Sequence, residues 1–244
     1  MSDFWAPLRA GTPARIGVGR SGDGMPTRAL LDLGAAHAAA RDAVHQPLDA
    51  VAVLAELASL GLGEPVSVAS AAADRATYLA RPDLGRMPAS GVPHVVGSEA
   101  VDVALVVADG LSATAVEHHA VPLLRVLLPL LDAGTTVAPP VLALQARVAL
   151  GDHIGQALGA RLVVVLIGER PGLSASDSLG AYLTWEPAPG VVDSARNCVS
   201  NIRPPHGLDY DTAARTIASL ITGARRLGAT GVRLKAGGDK FIER

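Results

Sequence analysis

The sequence predicts an α/β protein, a Rossmann-like and mostly parallel sheet flanked by helices, with a smaller helical region ahead of it. Two apolar runs and what lies between them carry this expectation. Leu162 to Ile167 is six consecutive apolar residues, mostly β-branched, bounded by Gly159 and Gly168, and Val101 to Ala108 is apolar apart from Asp102. Such runs belong to strands covered on both faces. Between them lie stretches with apolar residues at every third or fourth position, and strands alternating with helices build a parallel sheet. At 244 residues the chain is long for one domain and short for two. The expected division is a helical region with docking loops over 1–95 and the α/β domain over 96–244.

Composition excludes several function classes. Hydrophobic residues make up 49% of the chain, ample for a core, but aromatics only 3%, which argues against a stacking surface for single-stranded nucleic acid. A formal charge of −2 and the absence of a Lys/Arg run leave no basic field for phosphates or an anionic membrane. The single cysteine, Cys198, cannot form an internal disulfide, and no apolar secretion signal follows the start, so a cytoplasmic protein is expected.

Taken in order, Met1 to Pro13 is a stub broken by Pro7 and Pro13. Arg15 to Gly24 contains Gly17, Gly19 and Gly22 in G-x-G-x-x-G spacing. A dinucleotide fingerprint needs a strand before it and a helix at its end, whereas only Ile16 and Val18 precede and Pro26 intervenes, so a glycine-rich loop is expected. Thr27 is expected to cap a helix through Leu30, Leu33, His37, Arg41 and Val44, with His37, Arg41 and His45 on one polar stripe. Leu48 to Leu62 has a second helical pattern. Val66 to Ala73 alternates too loosely to place. Asp74 to Arg86 reads as a loop whose Tyr78, Arg81, Pro82, Asp83 and Arg86 form either a docking surface or a salt-bridged turn.

After the strand at Val101–Ala108, Ser112 is expected to cap a helix running to Asp132, which Pro122 would kink or restart. His118 and His119, adjacent on that helix, are expected to be solvated. Val137 to Val148 leans to strand and leads into a short helix over Ala149–Gly159. Tyr182 to Trp185 reads as a further strand, and Asp209 caps a last helix through Ala213, Ile217, Leu220, Ala224 and Leu227, closed by Gly228. Asp109 and Glu169 both leave the C-terminal end of a strand, the usual ligand position in an open α/β sheet, so parallel neighbours would turn both carboxylates to one crevice. Neither a P-loop, a G-x-S-x-G elbow, an H-E-x-x-H nor a Cys-x-x-Cys occurs, and the residues by themselves support only an α/β ligand domain. On the same grounds Cys198 reads either as a small buried hydrophobe or as a ligand contact.

Arg81-Pro-Asp-Leu-Gly-Arg86, Val107-Ala-Asp-Gly-Leu-Ser112, Ile167-Gly-Glu-Arg-Pro-Gly-Leu173, Asp177-Ser-Leu179 and Arg196-Asn-Cys-Val-Ser-Asn-Ile202, in this order over nearly the whole chain, resemble the small subunit of ethanolamine ammonia-lyase. The resemblance implies an adenosylcobalamin enzyme that converts ethanolamine to acetaldehyde and ammonia. In it a large TIM-barrel subunit carries the substrate site and the radical chemistry, and the small subunit closes over the cobalamin. It implies a hetero-oligomer active only with the large subunit, no catalytic residue in this chain, and cobalamin contacts from Val148, Glu169 and Cys198 within the α/β domain. None of the seven histidines follows an aspartate by two positions, so the Asp-x-His-x-x-Gly motif that displaces the lower base is missing and base-on cobalamin is expected. Some members are packaged in a bacterial microcompartment. The start here lacks the longer extension that some members use for this, and the tail after Lys235 departs from the family pattern. The competing readings are a stand-alone nucleotide-binding regulatory α/β domain using Gly17 to Gly22, and a purely structural assembly subunit.

Overall fold

The computed structural model describes residues 3–89 and 101–235, so the expected division at 95/96 and the tail after Lys235 lie outside the described residues. The element order is α1 (Ala6–Ala10), α2 (Thr27–His45), α3 (Ala50–Ala58), β1 (Val66–Ala69), α4 (Arg75–Ala80), β2 (Val103–Ala108), α5 (Ala113–Leu127), β3 (Val141–Leu144), α6 (Leu150–Ala157), β4 (Leu162–Gly168), β5 (Leu179–Trp185), β6 (Arg196–Ile202) and α7 (Tyr210–Leu227). These strands form one sheet in the order β1-β3-β2-β4-β5-β6, an α/β fold of the expected class. Pairings among β1, β3, β2 and β4 are parallel, and β5 and β6 then add antiparallel. The change of direction has a simple cause. Parallel neighbours need a crossover of about a dozen or more residues, usually a helix, and no α-helix lies between β4 and β5 or between β5 and β6.

Strand alternation divides the core between the two faces. Val103, Leu105 and Val107 of β2 and Leu162, Val164 and Leu166 of β4 face α5 and α7, where Leu123, Leu124, Ile217 and Leu220 cover them. Ala104, Val106, Ala108, Val163, Val165 and Ile167 face the other way onto Leu150, Ile154 and Leu158 of α6 and the turn that follows it. Every residue of β2 and β4 is buried, as their continuous apolar runs require. The connection β2–α5–β3 therefore runs over one face and β3–α6–β4 over the other. β1, a strand from the first third of the chain, joins the same sheet beside β3.

Several local expectations hold. Ser112 caps α5 through Ala115 N, Asp209 caps α7 through Thr212 N, and Gly228 ends α7 in a left-handed turn. Others are corrected. Pro26, not Thr27, is the cap of α2, and no side chain caps it; that helix buries only Ala40 and Ala43. The second helix is shorter than its apolar pattern, Ala50–Ala58, because Asp49 caps it at Ala52 N. Asp74 starts a true helix, α4, by accepting from Thr77 N. Arg81 and Asp83 make the salt-bridged turn at 2.6 Å, but Tyr78 belongs to no docking surface: it is fully buried. α5 runs through Pro122 without a break and ends at Leu127 rather than at Asp132. His119 is buried rather than solvated, its Nδ1 2.8 Å from the Tyr210 hydroxyl, while His118 on the outer side of α5 is exposed.

One ion pair ties α6 to the antiparallel half of the sheet. Arg196 at the start of β6 donates to both Asp152 oxygens at 2.6 and 2.7 Å, to Thr184 Oγ1 at 2.7 Å and to Val191 O at 2.8 Å. Both charged side chains are 2% exposed. Removing one member leaves an uncompensated buried charge, so Asp152→Ala should cost about 3–5 kcal/mol of unfolding free energy in guanidinium titrations. A loss below about 1 kcal/mol would mean that water reaches and solvates Arg196.

Candidate functional site

The site is built where β2, β3 and β4 end. Asp109 follows β2 and is 3% exposed. Its Oδ1 accepts from Gly110 N at 2.8 Å and Ala146 N at 2.9 Å, its Oδ2 accepts from Gln145 N at 2.9 Å, and Arg75 Nη1 stands 3.6 Å from Oδ2. These bonds bend the chain after β3, holding Gln145 at φ 51°, a conformation few side chains adopt. Tyr78 completes the bend by donating its hydroxyl to Ala146 O at 3.0 Å. Burial pushes that hydroxyl's pKa up to about 12, so it stays a donor. The Arg147 and Arg75 guanidiniums lie 4.4 and 5.0 Å from the centre of the Tyr78 ring.

Glu169 follows β4. Its carboxylate accepts from Ser178 Oγ at 2.5 Å, from Ser200 Oγ and from Asn201 N at 3.2 Å, while its own N–H donates to Ser178 O at 2.8 Å. It thus clasps the far ends of β5 and β6. Gly180 makes room for it, since a Cβ there would sit 2.9 Å from Glu169 Oε1. On β6, Cys198 pairs with Tyr182 of β5 and is exposed. Partial desolvation raises its thiol pKa, the Glu169 charge adds to this, and a hydrogen bond with Tyr182 opposes it.

Two adjoining cavities start at this end of the sheet and continue along β5 and β6, where Tyr182 and Cys198 lie level with Val165 in the middle of β4. One, about 560 Å³, is bordered by Arg86, Val148, Arg196 and Cys198, and the other, about 440 Å³, by Gly110, Ile167, Glu169 and Arg170. Arg147, Val148 and Tyr182 border both, so the two make one continuous groove. Val148, Glu169 and Cys198, singled out from three separate stretches of sequence, all line it. Asp109 does not. The expected crevice shared by Asp109 and Glu169 is corrected: both leave the same end of neighbouring parallel strands, but the Asp109 oxygens are consumed by main-chain amides inside the bend. Tyr182 and Arg147 were not singled out from the sequence. Tyr182 falls within a stretch that reads only as a strand, and Arg147 stands in no charge pattern and lies inside the strand-leaning segment Val137 to Val148.

The Gly17–Gly22 loop lies elsewhere. Gly17 and Gly19 take φ 59° and 80°, and a Cβ at Gly17 would strike the Trp5 ring, so the glycine lets the loop pack on that indole. Among the described residues no strand precedes it, and a two-residue turn between Ser21 and Gly24 ends it, which removes the dinucleotide-binding geometry.

The family model described as ethanolamine ammonia-lyase light chain (EutC) matches residues 2–235. The chain belongs to that family. It is 52% identical over 233 residues to the ethanolamine ammonia-lyase small subunit of Rhodococcus erythropolis, covering 96% of this chain and 90% of the relative. The corresponding protein of Bradyrhizobium diazoefficiens is 54% identical over 233 residues, 93% and 88% of the two chains, and that of Ralstonia nicotianae 50% over 238 residues, 95% and 87%. Among the described residues no helix is long and apolar enough to cross a membrane.

Two outcomes follow from the site's geometry. Asp109 is surrounded by N–H donors; burial pushes its carboxyl pKa above the usual carboxylate range, an effect that the amides of Ala146, Gln145 and Gly110 with Arg75 offset only in part. With donors on every side, the ionised form is the one the site satisfies, so Asp109→Asn must point an amide donor at another donor and should cost about 2 kcal/mol or more in denaturant titrations. An unchanged midpoint would show that the carboxyl is protonated in the fold. For Cys198, the raised pKa leaves less thiolate at a given pH, so iodoacetamide labelling followed by mass spectrometry should be slower at pH 8 than for a free thiol and should accelerate as pH rises past 9, the thiol's ordinary pKa. Faster labelling at pH 8 than a free thiol would contradict it.

Proposed function

We propose that this chain is the small subunit of an adenosylcobalamin-dependent ethanolamine ammonia-lyase and that it completes the cobalamin site on a large TIM-barrel subunit, which holds ethanolamine and carries out its conversion to acetaldehyde and ammonia. The observation that carries the reading is the convergence of Val148, Glu169 and Cys198 on one groove that opens at the C-terminal ends of β2, β3 and β4 and extends along β5 and β6 to Cys198. Such strand ends are where open α/β sheets bind ligands.

The groove's chemistry fits a corrinoid. A corrin ring is apolar on its faces and rimmed by neutral amides, whose N–H groups seek acceptors and whose carbonyls seek donors. Glu169 presents a carboxylate held in place by two serines and one main-chain amide, with lone pairs left over for a rim amide. Val148, Ile167 and the Tyr182 ring offer apolar contact, and the Cys198 thiol fills space without adding charge. The bound cofactor supplies the radical hydrogen abstraction of the reaction. This chain's residues hold and orient the corrinoid and exclude water from one side of it. Base-on binding is consistent with the missing Asp-x-His-x-x-Gly motif, and the family resemblance supports a cytoplasmic hetero-oligomer, whether or not it is packaged in a microcompartment.

Reconstitution tests this. Mixed with the large subunit, the chain should yield a coloured complex with ammonia-lyase activity, and neither colour nor turnover should appear with the chain alone; turnover by the pure small subunit would refute the division of labour. Within the complex, Glu169→Ala removes a charged acceptor and should weaken cobalamin binding by about one to two powers of ten, with a smaller fall in turnover at saturating cofactor. An unchanged dissociation constant would assign Glu169 to clasping β5 and β6 alone.

A further inference from the structure

The ion pairs of the groove leave Arg147 over. Asp83 is matched by Arg81 at 2.6 Å, Asp193 by Arg86 at 3.6 Å and Arg196 Nε at 3.5 Å, and Asp109 by Arg75 at 3.6 Å. Arg147 forms no ion pair among the described residues. Its one side-chain hydrogen bond, Nη2 to Tyr78 O, is long at 3.5 Å, and its buried Nε has no partner. Yet the side chain is firmly placed. The guanidinium lies over the Tyr78 ring, Arg147 N donates to Gly85 O at 2.8 Å, and a Cβ on Gly85 would come within 2.9 Å of Arg147 Cγ. A cation fixed by an aromatic ring, partly desolvated and with unspent donors, borders both halves of the groove.

We propose that Arg147 receives the phosphodiester of the cobalamin nucleotide tail, an inference that rests on the cobalamin reading above. The other polar groups on the periphery of that cofactor are neutral, and the phosphodiester is its one anion. The planar guanidinium fork matches two phosphate oxygens at once, and the match strengthens where water is thin. Glu169 lines only the half away from Cys198 and repels an anion there, so it selects the amide rim while Arg147 selects the tail. Arg170 also borders the groove but is exposed, and no ring or neighbouring glycine holds it. The groove thus has separate subsites for the neutral and the charged portions of one ligand.

The test uses the complex with the large subunit and corrinoids that differ in the tail: adenosylcobalamin, adenosylcobinamide phosphate, which keeps a phosphate but lacks the base, and adenosylcobinamide, which lacks both. Binding is followed by visible absorbance. Arg147→Gln should weaken the first two by about ten- to a hundredfold and leave adenosylcobinamide within about twofold, and Arg147→Lys should recover part of the loss. Unchanged cobinamide binding also shows that the variant groove is folded. Equal losses for all three ligands would make Arg147 a prop for the groove and overturn the proposal, and so would no loss for any. If the unaltered complex binds none of the three, the cobalamin reading itself fails and takes this proposal with it; if it binds all three and Arg147→Gln does not separate them, only the Arg147 assignment fails.

Discussion

The buried Asp109 carboxylate is the constraint on which the groove depends. Placing a charge at the centre of a sheet edge is costly unless every oxygen is matched, and here main-chain amides from two strand ends, with Arg75 behind them, supply the match. Because two of those amides belong to Gln145 and Ala146, the chain leaving β3 must curl around the carboxylate before entering α6. That curl presents Arg147 and Val148 to the groove. Arg75 extends the same network, donating to Gly110 O and Val44 O at 2.7 Å, so the end of α2 is tied to it as well.

Topology decides where this happens. The link from β2 to β3 crosses one face of the sheet and the link from β3 to β4 the other, so the chain diverges between β3 and β2 and opens a crevice at their C-terminal ends. Close approach of β2 and β4 deepens it: a Cβ at Gly110 would fall 2.2 Å from Gly168 O, and Leu111 N donates to that oxygen at 2.9 Å. β5 and β6 then extend the sheet antiparallel and place Tyr182 and Cys198 level with Val165 in mid-strand, where the groove continues. Glu169 secures that extension as Asp109 secures the bend, so one carboxylate is spent on each side of the groove.

The two acids show why similar positions acquire different roles. Asp109 is sealed in and satisfied by amides, which makes it an element of the scaffold. Glu169 sits at the rim with room on its oxygens, and it faces a ligand volume. Charge around the groove follows from local pairing: Asp83 and Asp193 each have an arginine of their own, and Arg147, stacked on a buried tyrosine, is left over. Tyr78 is central to this, since its hydroxyl fixes the bend at Ala146 and its ring carries the cation.

Much of the fold was legible in the sequence. The unbroken apolar runs of β2 and β4, the caps at Ser112 and Asp209 and the stop at Gly228 are local signals, set by burial on both faces and by unsatisfied helix-end amides. The motifs around Asp109, Glu169 and Cys198 also carried the family and the residues worth watching. The rest required tertiary structure. That β5 and β6 run antiparallel, that Tyr78 and His119 are buried, that Asp109 leaves the groove while Arg147 enters it, all depend on contacts between residues distant in sequence. Periodicity and capping report a residue's nearest neighbours along the chain; which carboxylate meets which amide or arginine is decided only when the strand ends are brought together.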